Sequence, residues 1–174
     1  MKRHSMGTAA RQVVAAREPV SLKSRRAMLM AASVVAWPAW AATAARQTQV
    51  LVEVWKSPTC GCCKDWVTHL EANGFKVKVH DDGNTDARVR LGMPIKYGSC
   101  HTALANGYVL EGHVPAREIK RLLKEKPTAV GLAVPAMPVG SPGMDGPEYG
   151  GRKDPYDVLL VREDGSAAVY QAYR

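Results

Sequence analysis

Three of the four cysteines in this 174-residue chain fall within four positions, at Cys60, Cys62 and Cys63. A short hydrophobic run precedes them and an amphipathic helix pattern follows, which predicts that the group lies at a junction between a strand and a helix. The free N–H groups and partial positive charge of a helix N-terminus favour thiolate over thiol and lower the pKa of a cysteine there. Thiolates of this kind either exchange disulfides or bind a soft metal ion.

The spacing of these cysteines leaves more than one chemistry open. A thiol–disulfide oxidoreductase needs only an attacking and a resolving cysteine, and Cys60 and Cys63 have the CxxC spacing for those two roles. Cys62 would then compete for the mixed disulfide. A group of soft thiolates suits Cu(I) instead, and bridging sulfurs allow one or more copper ions. The third alternative is a structural zinc or disulfide protein, although structural zinc sites usually pair two separated CxxC units.

The elements that must position the cysteines follow one another in a regular order. Hydrophobic periodicity and turn residues predict strands at 50–55, 75–79, 99–104 and 108–113, with helices from about 60 to 72, over 85–91 and from Pro115 to before Pro127. The first helix has one apolar face, formed by Cys63, Trp66, Val67 and Leu70. Asn106-Gly107 between two strand patterns predicts a tight hairpin.

This order, β-α-β-α-β-β-α, is that of the thioredoxin fold, and a CxxC at the first strand–helix junction also resembles thioredoxin. The resemblance covers about residues 50–126 and implies an α/β, thioredoxin-like fold. In that fold the third strand begins beside the CxxC, where a cis-proline normally lies. Counting back from the Asn106-Gly107 turn predicts Cys100 at this place instead. His113, at the end of the next strand, is expected near the same end of the sheet. His101 follows Cys100 in the predicted strand, so its side chain is expected to point to the opposite face.

The Pro- and Gly-rich segment 127–151 is predicted to be a long loop, followed by a C-terminal β-hairpin over 156–161 and 167–170. Because the loop is tethered at both ends, its central part, 131–146, is expected to cover the site as a lid. Met137 and Met144 lie in this loop, away from any helical core spacing. Thioethers are soft donors, so both methionines are candidate ligands, together with His113.

Residues 1–44 have the pattern of a cleaved signal peptide. A basic region is followed by an apolar, uncharged stretch at 27–42, which is shorter than the roughly 20 residues that a membrane-spanning helix needs. Small residues follow at the position expected for cleavage. Arg25-Arg26 resembles a twin-arginine signal, and ordinary secretory export is the alternative. The sequence therefore predicts a periplasmic protein without a stable membrane span, whose domain covers residues 45–174.

The charge of the chain is concentrated in this export segment. The whole chain has 24 Lys and Arg against 16 Asp and Glu, a net charge of +8. Residues 1–45 hold seven of the basic residues and one acidic residue, which leaves 17 against 15 in the remainder. A nucleic-acid-binding domain needs a basic surface, so the composition gives no support for a nucleic-acid partner.

Several sequence blocks together resemble the CopG-like family of periplasmic copper-resistance proteins, a cysteine-rich family formerly of unknown function. These blocks are residues 55–63, 99–103, 111–116, 131–138 and 140–144. The resemblance implies copper bound at Cys60, Cys62 and Cys63 together with Cys100. It further implies a role in copper handling beside other periplasmic copper proteins. An oxidoreductase activity that interconverts Cu(I) and Cu(II) is a further expectation from the family.

Overall fold

The computed structural model describes residues 49–174, so the predicted signal peptide at 1–44 lies outside the described residues and stays a prediction. The described part is a mixed α/β structure with seven strands, three α-helices and two short 3-10 helices. The elements are β1 Leu51–Lys56, α1 Gly61–Ala72, β2 Lys76–His80, α2 Thr85–Arg90, a 3-10 helix Ile95–Tyr97, β3 His101–Ala105, β4 Tyr108–Glu111, α3 Ala116–Glu125, β5 Gly131–Ala133, a 3-10 helix Pro147–Tyr149, β6 Tyr156–Val161 and β7 Ala167–Tyr173. Across residues 49–174, every helix is too short or too polar to cross a membrane.

All seven strands form one sheet in the order β2-β1-β3-β4-β5-β6-β7. Strand β1 pairs parallel with β2 and antiparallel with β3. The parallel pair needs a crossover connection, which α1 provides. The predicted hairpin between β3 and β4 is confirmed, with Asn106 at φ 46° and Gly107 at φ 88°. Two positive φ values are what a type I′ turn requires, which explains why Asn-Gly occupies the turn.

Helix α1 packs its predicted apolar face into the core. Cys63, Trp66 and Leu70 on α1 are fully buried, which confirms the predicted face. Trp66 also donates from its indole N–H to the backbone carbonyl of Val114 at 2.9 Å. This bond ties α1 to the segment between β4 and α3, so the start of α1 is held close to the ends of β1, β3 and β4.

Strand β5 lies inside the segment for which the sequence predicts a loop. It pairs parallel with β4 and antiparallel with β6, and so joins the C-terminal hairpin to the rest of the sheet. At Gly131 a Cβ atom would come within 1.8 Å of the Val109 carbonyl oxygen, so only glycine allows the two strands to approach this closely. Three residues are too few to show a strand period, and the pairing depends on residues far away in sequence. The predicted hairpin of β6 and β7 is confirmed.

Candidate metal centre

The first three cysteines lie at the N-terminus of α1. Strand β1 ends at Lys56, and the Cys60 N–H bonds the Ser57 carbonyl at 3.1 Å in the turn that follows. Cys60 is the N-cap residue and retains an extended backbone, while Cys62 and Cys63 belong to the first turn of the helix. The predicted strand-to-helix junction is therefore confirmed, and the three cysteines belong to the helix end whose first N–H groups have no partner within the helix.

Cys60 and Cys63 are joined by a disulfide, and Cys62 and Cys100 are free thiols. The Cys62 sulfur lies 3.5 Å from the Cys60 sulfur. Cys63 is fully buried, whereas Cys60, Cys62 and Cys100 are half-buried. The site therefore combines a disulfide with two further thiols within reach of it.

Cys100 lies immediately before β3, which is the place that the sequence predicts. Lys56 pairs with His101 in the β1–β3 ladder, so the start of β3 meets the end of β1. The Cys63 sulfur lies 3.7 Å from the Cys100 carbonyl oxygen, and the four cysteine sulfurs all lie within 4.8 Å of one another. The structure thus brings together cysteines that are about forty residues apart in the chain.

The surroundings of Cys100 disfavour a bare thiolate. Burial, and then the charge of the neighbouring Cys62, raise the pKa of Cys100 to about 12. The sequence predicts lowered pKa values for the cysteines at the N-terminus of α1, but Cys100 lies outside that helix, immediately before β3, and its burial disfavours the charged thiolate. A bound metal cation reverses this balance, because a coordinating thiol is deprotonated outright.

His113, a sequence-predicted candidate, is buried directly against Cys100. Its Nε2 lies 3.1 Å from the Cys100 sulfur, and its Nδ1 lies 2.8 Å from the Pro142 carbonyl oxygen. Because a carbonyl only accepts, Nδ1 carries the proton and the Nε2 lone pair points towards Cys100. Burial lowers the pKa of His113 and keeps the ring neutral. A histidine held by a carbonyl through its other nitrogen is the usual arrangement of a metal ligand.

His101 is a neighbour of the site that the sequence reasoning missed. Strand alternation predicts that His101 points away from Cys100, yet its Nδ1 lies 3.4 Å from the Cys100 sulfur. The prediction was wrong because β3 begins at His101, so Cys100 precedes the strand and does not follow its alternation. The ring is fully buried against Trp66, with centroids 4.3 Å apart. Burial, with a contribution from His113, holds the pKa of His101 well below its usual range.

The segment from Val139 to Met144 packs directly on the cysteine turn. A Cβ atom at Gly143 would lie 2.6 Å from the Cys62 carbonyl oxygen and 2.7 Å from the Trp66 nitrogen. Met144 is almost fully buried, and its sulfur accepts a hydrogen bond from the Tyr149 hydroxyl at 3.3 Å. Met137 is 48% exposed and lines a surface cavity with Pro155 and Tyr156. The two candidate methionines therefore lie in different surroundings.

A buried polar network fixes the backbone just before Cys100. Glu111, which is fully buried, accepts hydrogen bonds from the Ser99 N–H at 2.7 Å, Arg88 Nε at 3.0 Å and the Thr102 hydroxyl at 2.6 Å. Arg88 in turn donates to the Ser99 carbonyl at 2.7 Å. The backbone N–H and carbonyl of Ser99 are thus both held by one ion pair, and Asn84 Nδ2 also donates to that carbonyl at 3.1 Å. This ion pair could not be recognised from the sequence, because Arg88 and Glu111 have the pattern of ordinary surface charges.

Replacing Gly143 with alanine tests how tightly this segment covers the site. The added methyl group would overlap the Cys62 carbonyl and the Trp66 nitrogen, so the segment must move away. We expect the free energy of unfolding to fall by about 1–3 kcal/mol, and iodoacetamide to alkylate Cys62 faster. Gly150→Ala is the matched control, because Gly150 also has a positive φ, of 60°, but a Cβ there would meet open space. Equal Cys62 alkylation rates in the two variants would contradict the close cover.

The chain is similar to one family model and to two solved structures. The family model described as "Protein of unknown function, DUF411" matches residues 97–144. A solved structure of copper resistance protein CopG, form 2, is 46% identical with a TM-score of 0.66, and the match covers 73% of this chain and 100% of that chain. Form 1 of copper resistance protein CopG is 47% identical with a TM-score of 0.67, covering 72% of this chain and 98% of that chain. No curated protein matches the chain.

The region matched by the family model contains Cys100, His101 and His113, which meet at the site described above. The two CopG structures are matched over essentially their whole length, at an identity of nearly one residue in two. This similarity in sequence and structure agrees with the resemblance of the sequence blocks to the CopG-like family. The chain therefore belongs to the CopG-like copper-resistance family.

Proposed function

We propose that this chain is an exported copper-binding protein of copper resistance, which binds Cu(I) through the thiolates of Cys60, Cys62, Cys63 and Cys100 once the disulfide is reduced. The observation that carries the proposal is the convergence of four sulfurs within 4.8 Å of one another. The likeness to copper resistance protein CopG supports copper as the metal.

The chemistry of the donors favours Cu(I) over harder ions. Thiolates are soft ligands and select Cu(I), whereas carboxylates and carbonyls suit Mg²⁺ or Ca²⁺. Four thiolates in a half-buried site carry more negative charge than a single Cu(I) balances, and burying unbalanced charge is costly. Bridging sulfurs that share additional Cu(I) ions would reduce this charge. The proposed content is therefore one or more copper ions.

The remaining candidates surround this sulfur group. His113 would add an imidazole ligand next to Cys100, since its Nε2 is free and already points there. Met144 is the better placed of the two methionines, because its segment packs on Cys62 and it is buried, while Met137 is half-exposed. The lid would limit the access of water and oxidants. Other periplasmic copper-handling proteins would deliver or receive the metal.

The proposed fold is thioredoxin-like. The strand pairing β2-β1-β3-β4, with α1 crossing from β1 to β2 and α3 following β4, supports it. The C-terminal strands β5 to β7 would then be an addition to one edge of the basic sheet. Under this proposal Cys100 takes the place of the usual cis-proline beside the CxxC.

A second candidate function is thiol–disulfide exchange. It is favoured by the Cys60–Cys63 disulfide, in which Cys60 is half-buried and Cys63 is fully buried. This asymmetry suits an accessible attacking cysteine and a protected resolving cysteine. Cys62, with its sulfur 3.5 Å from Cys60, counts against it because it would capture the same mixed disulfide. Copper redox chemistry, with Cu(I) and Cu(II) interconverted at the sulfurs, is a further form of the main proposal.

Anaerobic titration with Cu(I) against a chromogenic chelator tests the proposed function. Fully reduced protein should saturate at one or more tightly held ions. Protein with the Cys60–Cys63 disulfide closed should bind Cu(I) at least about tenfold more weakly, because two of the four thiolates are then unavailable.

Three outcomes separate the alternatives. Loss of Cu(I) binding on Cys62→Ser supports the four-thiolate site. Unchanged Cu(I) affinity in Cys62→Ser, combined with lost disulfide reductase activity in Cys60→Ser, would favour the oxidoreductase. A reduced protein that ignores copper and binds zinc tightly would favour the structural alternative.

A further inference from the structure

We propose that the end of the sheet remote from the cysteines is a docking surface for a partner protein, which binds there through an extended acidic segment that also carries apolar side chains. We call this surface the lysine groove. It is defined by Lys120, Leu123, Lys124 and Lys126, on and just after α3, together with Phe75 before β2. None of the candidate metal ligands belongs to this groove, so docking here is independent of copper binding.

Two adjoining cavities give the lysine groove its shape. One, of about 680 Å³, lies between Val50, Phe75 and the outer side of α3. The other, of about 410 Å³, lies beside the Asn106-Gly107 turn. Leu123 lines both cavities, so they meet at this side chain. A pocket for one small ligand usually has a volume of about 300–1,000 Å³, and two such cavities in a row suit an extended segment better than a single small molecule.

The floor of the groove is apolar. Phe75 is buried, and Val50, Tyr108 and Leu123 are partly buried and pack against the core. The Lys120 ammonium lies 5.8 Å from the centroid of the Phe75 ring, so a cation borders this floor. An occupant that fits must therefore offer apolar groups and negative charges at short spacing.

The charge of the groove is positive and unbalanced. Lys120, Lys124 and Lys126 are exposed, and among the described residues neither cavity has an acidic residue in its lining. The two acidic residues of α3 do not compensate these lysines, because both pair with arginines of the same helix. Residues 46–174 as a whole are nearly neutral, with 17 basic against 15 acidic residues. The accumulation of cations is therefore local, and it complements an acidic partner.

Two features of these lysines are unfavourable for α3 itself. Lys120 and Lys124 lie one turn apart, and like charges at this spacing repel each other. Lys126 has a left-handed backbone with φ 51°, a conformation in which glycine is usual at the end of a helix. The helix dipole favours cations at this end, but it explains neither a cation as far back as Lys120 nor the absence of glycine at Lys126. An acidic segment in the groove would relieve the repulsion and pair with all three charges.

Docking at this end of the sheet leaves the cysteine turn uncovered. Val50 precedes β1 and the cysteine turn follows it, so the six residues of β1 separate the groove from the cysteines by about 20 Å. A partner bound in the groove would therefore leave the opposite end of the sheet accessible.

Fluorescence anisotropy with the full chain tests the groove. The probe is a fluorescein-labelled synthetic peptide with the repeat Glu-Leu-Gly, and a peptide with the repeat Glu-Ser-Gly has the same charge without the apolar side chains. We expect the first peptide to bind at low ionic strength and to be released as salt is added, because exposed charges are screened. The second should bind at least about fivefold more weakly, because it cannot bury apolar surface on the floor.

Paired substitutions locate the binding. Lys120→Gln with Lys124→Gln should weaken the binding of the Glu-Leu-Gly peptide about tenfold, since two charge pairs are lost. Lys64→Gln with Lys96→Gln is the matched control, because it removes the same charge from two exposed lysines outside the groove. Its affinity for the peptide should equal that of the wild type. Far-ultraviolet circular dichroism checks that each variant is folded.

Equal weakening by the two pairs of substitutions would indicate general attraction to a basic surface and overturn the lysine groove as a docking site. Failure of the wild type to bind the Glu-Leu-Gly peptide would also overturn it, as would equal affinity for the two peptides. Binding of the wild type to vesicles of phosphatidylglycerol but not to the peptide, with loss of binding in Lys120→Gln with Lys124→Gln, would assign the groove to an anionic membrane surface instead.

Discussion

Replacing Cys100 with serine should weaken Cu(I) binding by the reduced protein more than about 100-fold, since even residues that only support a ligand change metal affinity by about 10–100-fold. The sulfur of Cys100 lies within 4.8 Å of the other three cysteine sulfurs and next to His113 Nε2. Serine is similar in volume but supplies a hard, neutral hydroxyl in place of a soft thiolate. Competition with a chromogenic Cu(I) chelator measures the change.

The control for this experiment lies within the same site. Cys60 and Cys63 should still form their disulfide in Cys100→Ser on air oxidation, because that disulfide needs only the α1 turn. Mass spectrometry of the oxidised variant checks this and shows that the turn is intact. An unchanged Cu(I) affinity with the disulfide still forming would refute Cys100 as a ligand.

The convergence of the four cysteines could be predicted because local sequence patterns were combined with the resemblance to the thioredoxin fold, in which the third strand begins beside the CxxC. The periodicity of α1 indicated that Cys60 and Cys63 lie at the start of the helix. The Asn106-Gly107 turn indicated the register of the hairpin. Counting along β3 from that turn then brought Cys100 to the right end of the sheet. The same reasoning reached His113, two residues beyond β4.

His101 and β5 could not be obtained in this way. The side of the sheet on which His101 lies depends on the residue at which β3 begins, and a shift of one residue reverses it. The short strand β5 exists because Gly131 lets the chain approach Val109, a contact between residues far apart in sequence. Long-range contacts of this kind leave little local pattern, so the loop prediction for 127–151 missed the strand.

The segment 139–144, which packs on the cysteine turn, could be predicted from the sequence only in part. Its Pro and Gly content and its attachment at both ends predicted a loop over the cysteines. The contacts that hold the loop in place, however, are made by backbone atoms. Gly143 lies against the Cys62 carbonyl, and the Pro142 carbonyl accepts from His113. Backbone contacts carry no residue-type signal apart from the glycine itself. The same segment thus both covers Cys62 and sets the tautomer of a candidate ligand.

Replacing Arg88 with methionine should cost about 3–5 kcal/mol of unfolding free energy, because it leaves the fully buried Glu111 carboxylate without its cation. Arg88 also donates to the Ser99 carbonyl, so its loss frees the backbone next to Cys100. We therefore expect Cu(I) affinity to fall by about 10–100-fold as well. Urea unfolding of the reduced protein and chelator competition measure the two effects.

Two further variants test whether the Arg88–Glu111 ion pair positions Cys100 or only stabilises the fold. Arg90→Met removes an exposed arginine two residues away, whose guanidinium lies 5.3 Å from the Trp55 ring centroid, and should change stability by no more than about 1 kcal/mol. The double variant Arg88→Met with Glu111→Gln removes both charges, so it should recover part of the stability lost in Arg88→Met. Copper affinity should stay low in the double variant, because the Ser99 carbonyl would still lack the Arg88 guanidinium at 2.7 Å and would keep only the longer bond from Asn84. If copper affinity recovered together with stability, the pair would contribute to the fold alone and would not position Cys100.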